Sequence, residues 1–248
     1  MSGRRAVPGR ARAASPPRRG GPLATAFAAV GAWLLEPAQP ARAPVLSAPL
    51  PPRPIVAVFG LARGCGATVV ARALAAELAS RDANGVAAVH CEAQAAGIPL
   101  ATHAASRLAR QLAEVHGAET RALGRLCLVG GAECGAVADT ARHFAPLVLD
   151  AGSASLGGVP AAVADEVVVV SGRSTERALA AVAADCLARL GHEPIVVRNR
   201  SREQPRGDDQ DAHVLPDSRL GAQLALGGRE PRGELGRAIA ELADRCQR

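Results

Sequence analysis

The chain contains no lysine and no tyrosine, and only one tryptophan, one methionine and three phenylalanines in 248 residues. All 29 of its Lys+Arg residues are therefore arginine. With so few rings there are scarcely any platforms on which bases stack, so specific reading of nucleic acid is not expected of the folded part. Six cysteines, at 65, 91, 127, 134, 186 and 246, form no CxxC pair, which argues against a zinc site and supplies no disulfide framework. Reduced, mostly buried thiols are the expectation. The apolar segment PLATAFAAVGAWLL, residues 22–35, has 14 residues, short of the roughly 20 that a membrane-spanning helix needs.

A hydrophobic content of 48% over this length suits one α/β domain plus an extension. Charge divides the chain in the same place. Residues 1–54 carry eight arginines against Glu36 alone, leaving 21 arginines and 22 acids for the nearly neutral remainder. Residues 1–21 and 37–54 are rich in Pro, Arg, Ala and Gly and are expected to be disordered. A basic tail of this kind makes weak, salt-sensitive contacts with nucleic acid or anionic lipid. The segment at 22–35 places Leu23, Phe27, Val30 and Leu34 near helical spacing, as in a short helix that docks on the domain, a partner or a membrane surface. Peripheral membrane contact through residues 1–36 is part of that reading. A secretory signal over 18–43 is the competing one, and a cytoplasmic protein is preferred because the pattern from Ile55 onward is of an intracellular kind.

From Ile55 onward, apolar runs alternate with alanine-rich helical patterns, as a parallel sheet with crossover helices demands. The strands expected are 55–59, 86–91, 125–129, 146–150, 166–171, 194–199 and a short one at 213–215. The helices are 68–81, 104–116, 136–143, 174–190, 218–225 and 233–246, with Gly191 capping the fourth. The fold class is thus α/β, a three-layer doubly wound, mostly parallel sheet of about seven strands, spanning residues 55–248. The polar stretch 201–211 reads as a mobile loop.

Between the first strand and first helix lies Gly60-Leu61-Ala62-Arg63-Gly64-Cys65-Gly66-Ala67-Thr68. Glycines at 60, 64 and 66 let backbone amides approach a phosphate at the helix N-terminus. A phosphate-binding P-loop reads GxxxxGK[ST], and here Ala67 stands where its lysine belongs. His90, beside Cys91 and Glu92, has no further residue at metal-ligand spacing. Ser153 and Ser155, near His143 and Asp150 in sequence, lack a GxSxG elbow and make no hydrolase set.

Two families share such a loop. The turn resembles the TGxxxGxG of short-chain dehydrogenases, which implies NAD(P) binding, but the Tyr and Lys that those enzymes use are both missing. Over residues 55–247 the chain resembles the MinD/ParA group of P-loop ATPases, especially CpaE/TadZ-like members. Gly64-Cys65-Gly66-Ala67-Thr68 matches GxGKT, VAAVHCE matches the second strand with His90 at the water-orienting aspartate, and Leu149-Asp150 matches the strand before the switch. ADEVVVVSGRSTERALAAVAADCLARLG, PIVVRNR and VLPDSRLGAQLALGG come next in the family's order.

The resemblance implies a P-loop NTPase-like fold with ATP or ADP and Mg2+ as ligands. Arg63, Gly64, Cys65, Gly66, Ala67, Thr68 and Val69 would surround the phosphates. Asn199 and Pro216 would flank the base, and Thr68 and Asp150 would hold the metal. It also implies a protein partner and a homodimer, although the lysine that crosses between subunits corresponds to Ala62. Both lysines and the aligned aspartate are absent, so a scaffold or regulator with negligible turnover is expected. A sensor using Arg63, with Arg72 one turn into the helix, is the second reading. A dinucleotide-binding relic of the dehydrogenases is the third.

Overall fold

A computed structural model describes residues 53–91, 103–152, 156–173, 175, 177–201 and 212–247. The tail expected over 1–54 lies outside these except for Arg53 and Pro54, as do the segment at 22–35, Glu92, Ser153, Ser155 and nearly all of the 201–211 loop. Arg53 belongs to the folded part, since its Nε donates to Asp82 at 3.0 Å and its N–H to the Arg142 carbonyl at 3.1 Å.

The first strand, β1 (Ile55–Gly60), shows why this sequence makes a two-faced sheet. Val56 and Val58 enter one core, while Ile55, Ala57 and Phe59 enter the other. A strand covered on both faces is apolar at every position, not at alternate ones. β2 (Ala87–Cys91), β4 (Leu126–Gly130), β5 (Leu147–Gly152) and β6 (Glu166–Ser171) likewise send apolar side chains into both cores, with His90, Asp150, Glu166 and Ser171 as their polar positions. With β3 (Glu119–Leu123), β7 (Ile195–Ser201) and β8 (His213–Pro216), the order is β3-β4-β2-β5-β1-β6-β7-β8. All neighbours are parallel except β3 with β4.

Helix α1 (Ala67–Arg81) covers one face together with α6 (Arg219–Leu226) and α7 (Gly233–Arg245). The opposite face carries α2 (His103–His116), α3 (Cys134–Ala141), α4 (Val159–Val163) and α5 (Arg177–Arg189). Ten of the 15 residues of α1 are buried, six of them alanines. Small side chains let this helix lie between the sheet and two further helices, while Leu74 and Leu78, fully buried, each contribute about 1.5–3 kcal/mol of hydrophobic stabilisation.

The sheet has eight strands where about seven are expected. The additional one, β3, buries only Leu123 out of Glu-Thr-Arg-Ala-Leu, as a short polar edge strand does. Helix α4 is also unexpected from sequence, being five residues long with a proline in its first turn. At the end of α5, Gly191 adopts φ 89°, and the N–H groups of Gly191 and His192 turn back to the Ala188 and Leu187 carbonyls at 3.0 Å. That is the C-cap anticipated there.

His213 on β8 contacts the Ala238 carbonyl of α7 through Nε2 at 2.7 Å. Burial holds its pKa below the ordinary 6.5, against the opposing pull of that carbonyl. A histidine with a depressed folded pKa contributes stability in full above its unfolded value, and that contribution is lost as pH falls through the folded value. Urea midpoints should therefore drop below about pH 6.5 by more in the parent protein than in His213→Gln. Equal drops would show that His213 does not titrate with unfolding.

Candidate functional site

The loop after β1 is bound to its neighbours by backbone. Leu61 N–H donates to the Val170 carbonyl of β6 at 3.0 Å, and Cys65 N–H to the Ala62 carbonyl at 3.2 Å. Gly66 then opens α1 at φ 90°, with no side chain capping the helix and no acid in its first turn. The N–H groups of Ala67, Thr68 and Val69 have no partner within the helix, since the first intrahelical bond runs from Val70 to Gly66. These groups carry the positive end of the helix dipole.

Gly60 and Gly66 are needed for different reasons. A Cβ at Gly60 would lie 2.8 Å from Cys65 Sγ and 3.2 Å from the Gly152 carbonyl, so only glycine lets the loop fold back on the strand end. A Cβ at Gly66 would collide with Nδ2 of Asn199. That amide donates to the Cys65 carbonyl at 2.8 Å and is buried, so Asn199 is a strut beneath the loop. Gly172 closes the far side, where a Cβ would stand 3.1 Å from Cys65 Cα.

Thr68 and Asp150 are brought together. Asp150 lies opposite Val58 of β1 and Cys91 of β2, and its carboxylate takes hydrogen bonds from the Thr68 side chain and the Gly152 backbone. Burial nevertheless raises its pKa, with Thr68, Gly152 and the Arg72 charge opposing that rise. Its Oδ1 is buried without any hydrogen-bond partner. Such an atom calls for a cation or water, which fits an Mg2+ held by a hydroxyl and an acid. Cys91, alongside, has its thiol pKa raised by burial and then by the Asp150 charge.

Arg72 is turned to the end of α6 through one nitrogen, while its Nε is buried without a hydrogen-bond partner. It is 5% exposed, and its Nη1 donates to the Leu226 carbonyl at 3.1 Å, capping the C-terminal end of α6. Arg63 is exposed and makes no hydrogen bond or ion pair among the described residues. His90 is buried with Nε2 3.0 Å from the Ala132 carbonyl. It lines a cavity of about 510 Å³ with Cys91, Glu133, Cys134, Asp150 and Val159. No group of three or more metal-ligating side chains occurs among the described residues.

Two spaces flank the loop on its other side. Asn199 and Pro216, expected at the base, line a crevice of about 20 Å³ between α1 and the β8–α6 turn. That is room for about one water. A cavity of about 490 Å³ lies next to it, walled by Ala62, Gly64 and Cys65 of the loop and by Arg173, Arg200 and Arg219. Sequence reasoning passed over these three arginines, which follow β6, lie near the end of β7 and open α6, and become neighbours only through the strand order.

A parallel sheet bearing a glycine-rich loop, a helix N-terminus and an acid at its C-terminal edge is a P-loop NTPase-like fold. The solved structures to which the chain is similar narrow it further. The ParA family ATPase from Chlorobium tepidum TLS matches with TM-score 0.55 and 18% identity over 77% of this chain and 98% of that one. A chain of the MinC:MinD cell division protein complex of Aquifex aeolicus gives 0.51 and 13% over 78% and 96%. The McdA(D38A)–ATP complex of Cyanothece gives 0.51 and 15% over 79% and 96%. The chain has the fold of the ParA/MinD ATPases. No family model and no curated protein matches it. No helix among the described residues is long and apolar enough to cross a membrane.

Proposed function

We propose that this chain is a MinD/ParA-like protein of the CpaE/TadZ kind that binds ATP or ADP with Mg2+ and does not hydrolyse it at a useful rate, acting through a protein partner. The observation that carries the reading is the orphaned Oδ1 of Asp150 beside Thr68, beneath a loop that presents backbone amides. Thr68 and Asp150 would hold the metal, which would supply positive charge to offset that of the phosphates. Residues 63–69 would cradle the phosphates, with Asn199 supporting the cradle and Pro216 on the base side.

The departures weigh against turnover. No lysine is present to neutralise charge on the transferring group, and the position aligned with the water-orienting aspartate holds His90, which is turned to a backbone carbonyl. Loss of one such stabilising donor lowers rates by ~10² to 10³, and several are lost here. The MinC:MinD complex and the ATP-bound McdA supply the precedent for a protein partner and for the nucleotide. Pilus or secretion assembly and a cytoplasmic location extend the same reading.

Calorimetric titration of the full chain with MgATP, MgADP and NADH tests it. Saturable binding of both adenine nucleotides at up to millimolar concentration, with no heat from NADH, is expected. Multiple-turnover hydrolysis abolished by Thr68→Ala would overturn the non-hydrolysing reading, and binding of NADH alone would favour a dinucleotide-binding protein.

A further inference from the structure

Without its lysine, the loop faces an unbalanced charge. Amides and a hydroxyl hydrogen-bond a diphosphate but do not neutralise it. Arg72 is committed to the Leu226 carbonyl. Arg63 is exposed on the loop, and three further arginines stand across the cavity of about 490 Å³ that the loop itself walls. Of its three arginines, Arg173 is paired with Asp217 at 3.1 Å and donates from Nε to the Arg200 carbonyl at 2.8 Å. Arg200 and Arg219 make no side-chain hydrogen bond or ion pair among the described residues. Two guanidiniums that have no partner among the described residues and share one cavity can hold a common anion, and each has the planar fork that grips phosphate oxygens in pairs.

Arg200 lines this cavity and the adjoining crevice, and the backbone at that residue is irregular. In the β7–β8 ladder Asn199 stands opposite Leu215 and Ser201 opposite Pro216, so Arg200 is the extra residue of a bulge. Bulges re-aim a side chain and recur beside functional sites. Arg200 has φ 58°, the positive-φ residue other than glycine among those described. Arginine is disfavoured in that region, and such a residue persists where its surroundings hold it. Asn199 is pinned beneath the loop on one side, and the Arg173 guanidinium holds the Arg200 carbonyl on the other. Adjacent residues thus serve the loop from two directions, Asn199 holding the Cys65 carbonyl and Arg200 fronting the cavity that Cys65 lines.

We propose that Arg200 and Arg219 are the cationic anchors for the phosphates of a diphosphate- or triphosphate-bearing ligand, in place of the absent P-loop lysine. Arg219 opens α6, whose dipole adds charge of the same sign. This assignment rests on the reading of the loop as a phosphate cradle. It does not require the ligand to be an adenine nucleotide.

The test is calorimetric titration of the full chain with inorganic pyrophosphate and, separately, with MgADP, in the parent protein and in Arg200→Gln, Arg219→Gln and Arg189→Gln. Arg189, exposed on α5, is the control. Loss of affinity for both probes by tenfold or more in the first two variants, and none in the control, is expected. Arg200→Gly separates binding from folding, because glycine suits φ 58°: it should melt no lower than the parent while losing the same affinity. Unchanged affinity in Arg200→Gln and Arg219→Gln overturns the proposal, as does binding of neither probe by the parent protein. Arginine-dependent binding of pyrophosphate without binding of MgADP upholds the anchors and removes the adenine nucleotide reading.

Discussion

Gly66→Ala is expected to destabilise the protein by about 2–5 kcal/mol. Two effects add. Forcing a side chain into the left-handed region at φ 90° costs roughly 1–2 kcal/mol. Its Cβ also displaces the Asn199 amide from the Cys65 carbonyl, and a buried donor left unpaired costs a further ~1–3 kcal/mol. Against the 5–15 kcal/mol that stabilises a typical domain, the loss is large. Gly64→Ala is the internal control. Gly64 sits at φ 75° with nothing within 4 Å of a Cβ, so only the backbone penalty applies. Urea unfolding should place Gly66→Ala well below Gly64→Ala, with Asn199→Ala accounting for most of the gap. Coincident midpoints for the two glycine variants would show that Asn199 does not support the loop.

Asp150→Asn is expected to weaken MgADP binding by about 10–100-fold while leaving the ligand-free protein at least as stable at pH 7. Burial raises the folded pKa of Asp150, so the carboxyl contributes stability below its ordinary value of 3.8, and that contribution is lost as pH rises through the folded value. The ionised form is therefore the one the fold disfavours, and asparagine removes it. The signature is opposite movement in two readouts, a rise in melting temperature without ligand and the loss of its magnesium-dependent rise with ADP. A lower melting temperature with unchanged MgADP affinity would assign Asp150 to structure alone.

Much of this architecture was legible from residue pattern. Unbroken apolar runs such as IVAVF and EVVVV announce strands covered on both faces, and glycines 60, 64 and 66 announce the turn between β1 and α1. What escaped is what depends on pairing between distant segments. Strand β3 has one buried side chain, so no alternation marks it. Arg72 sits on an alanine-rich helix and becomes a buried cap only because the end of α6 lies against it. Asn199 is read from the order of motifs as a base contact, while its position under Gly66 is fixed by strand β7 lying near the loop. The bulge at Arg200 is a property of the register between β7 and β8 and leaves no trace in local sequence.

The measurement closest to the central claim is a single calorimetric titration of the full chain with MgATP, since one trace reads binding and turnover together. A saturable isotherm that returns to baseline after each injection is the predicted result. Sustained heat after each injection, the mark of continuing hydrolysis, or no heat at millimolar nucleotide would contradict it.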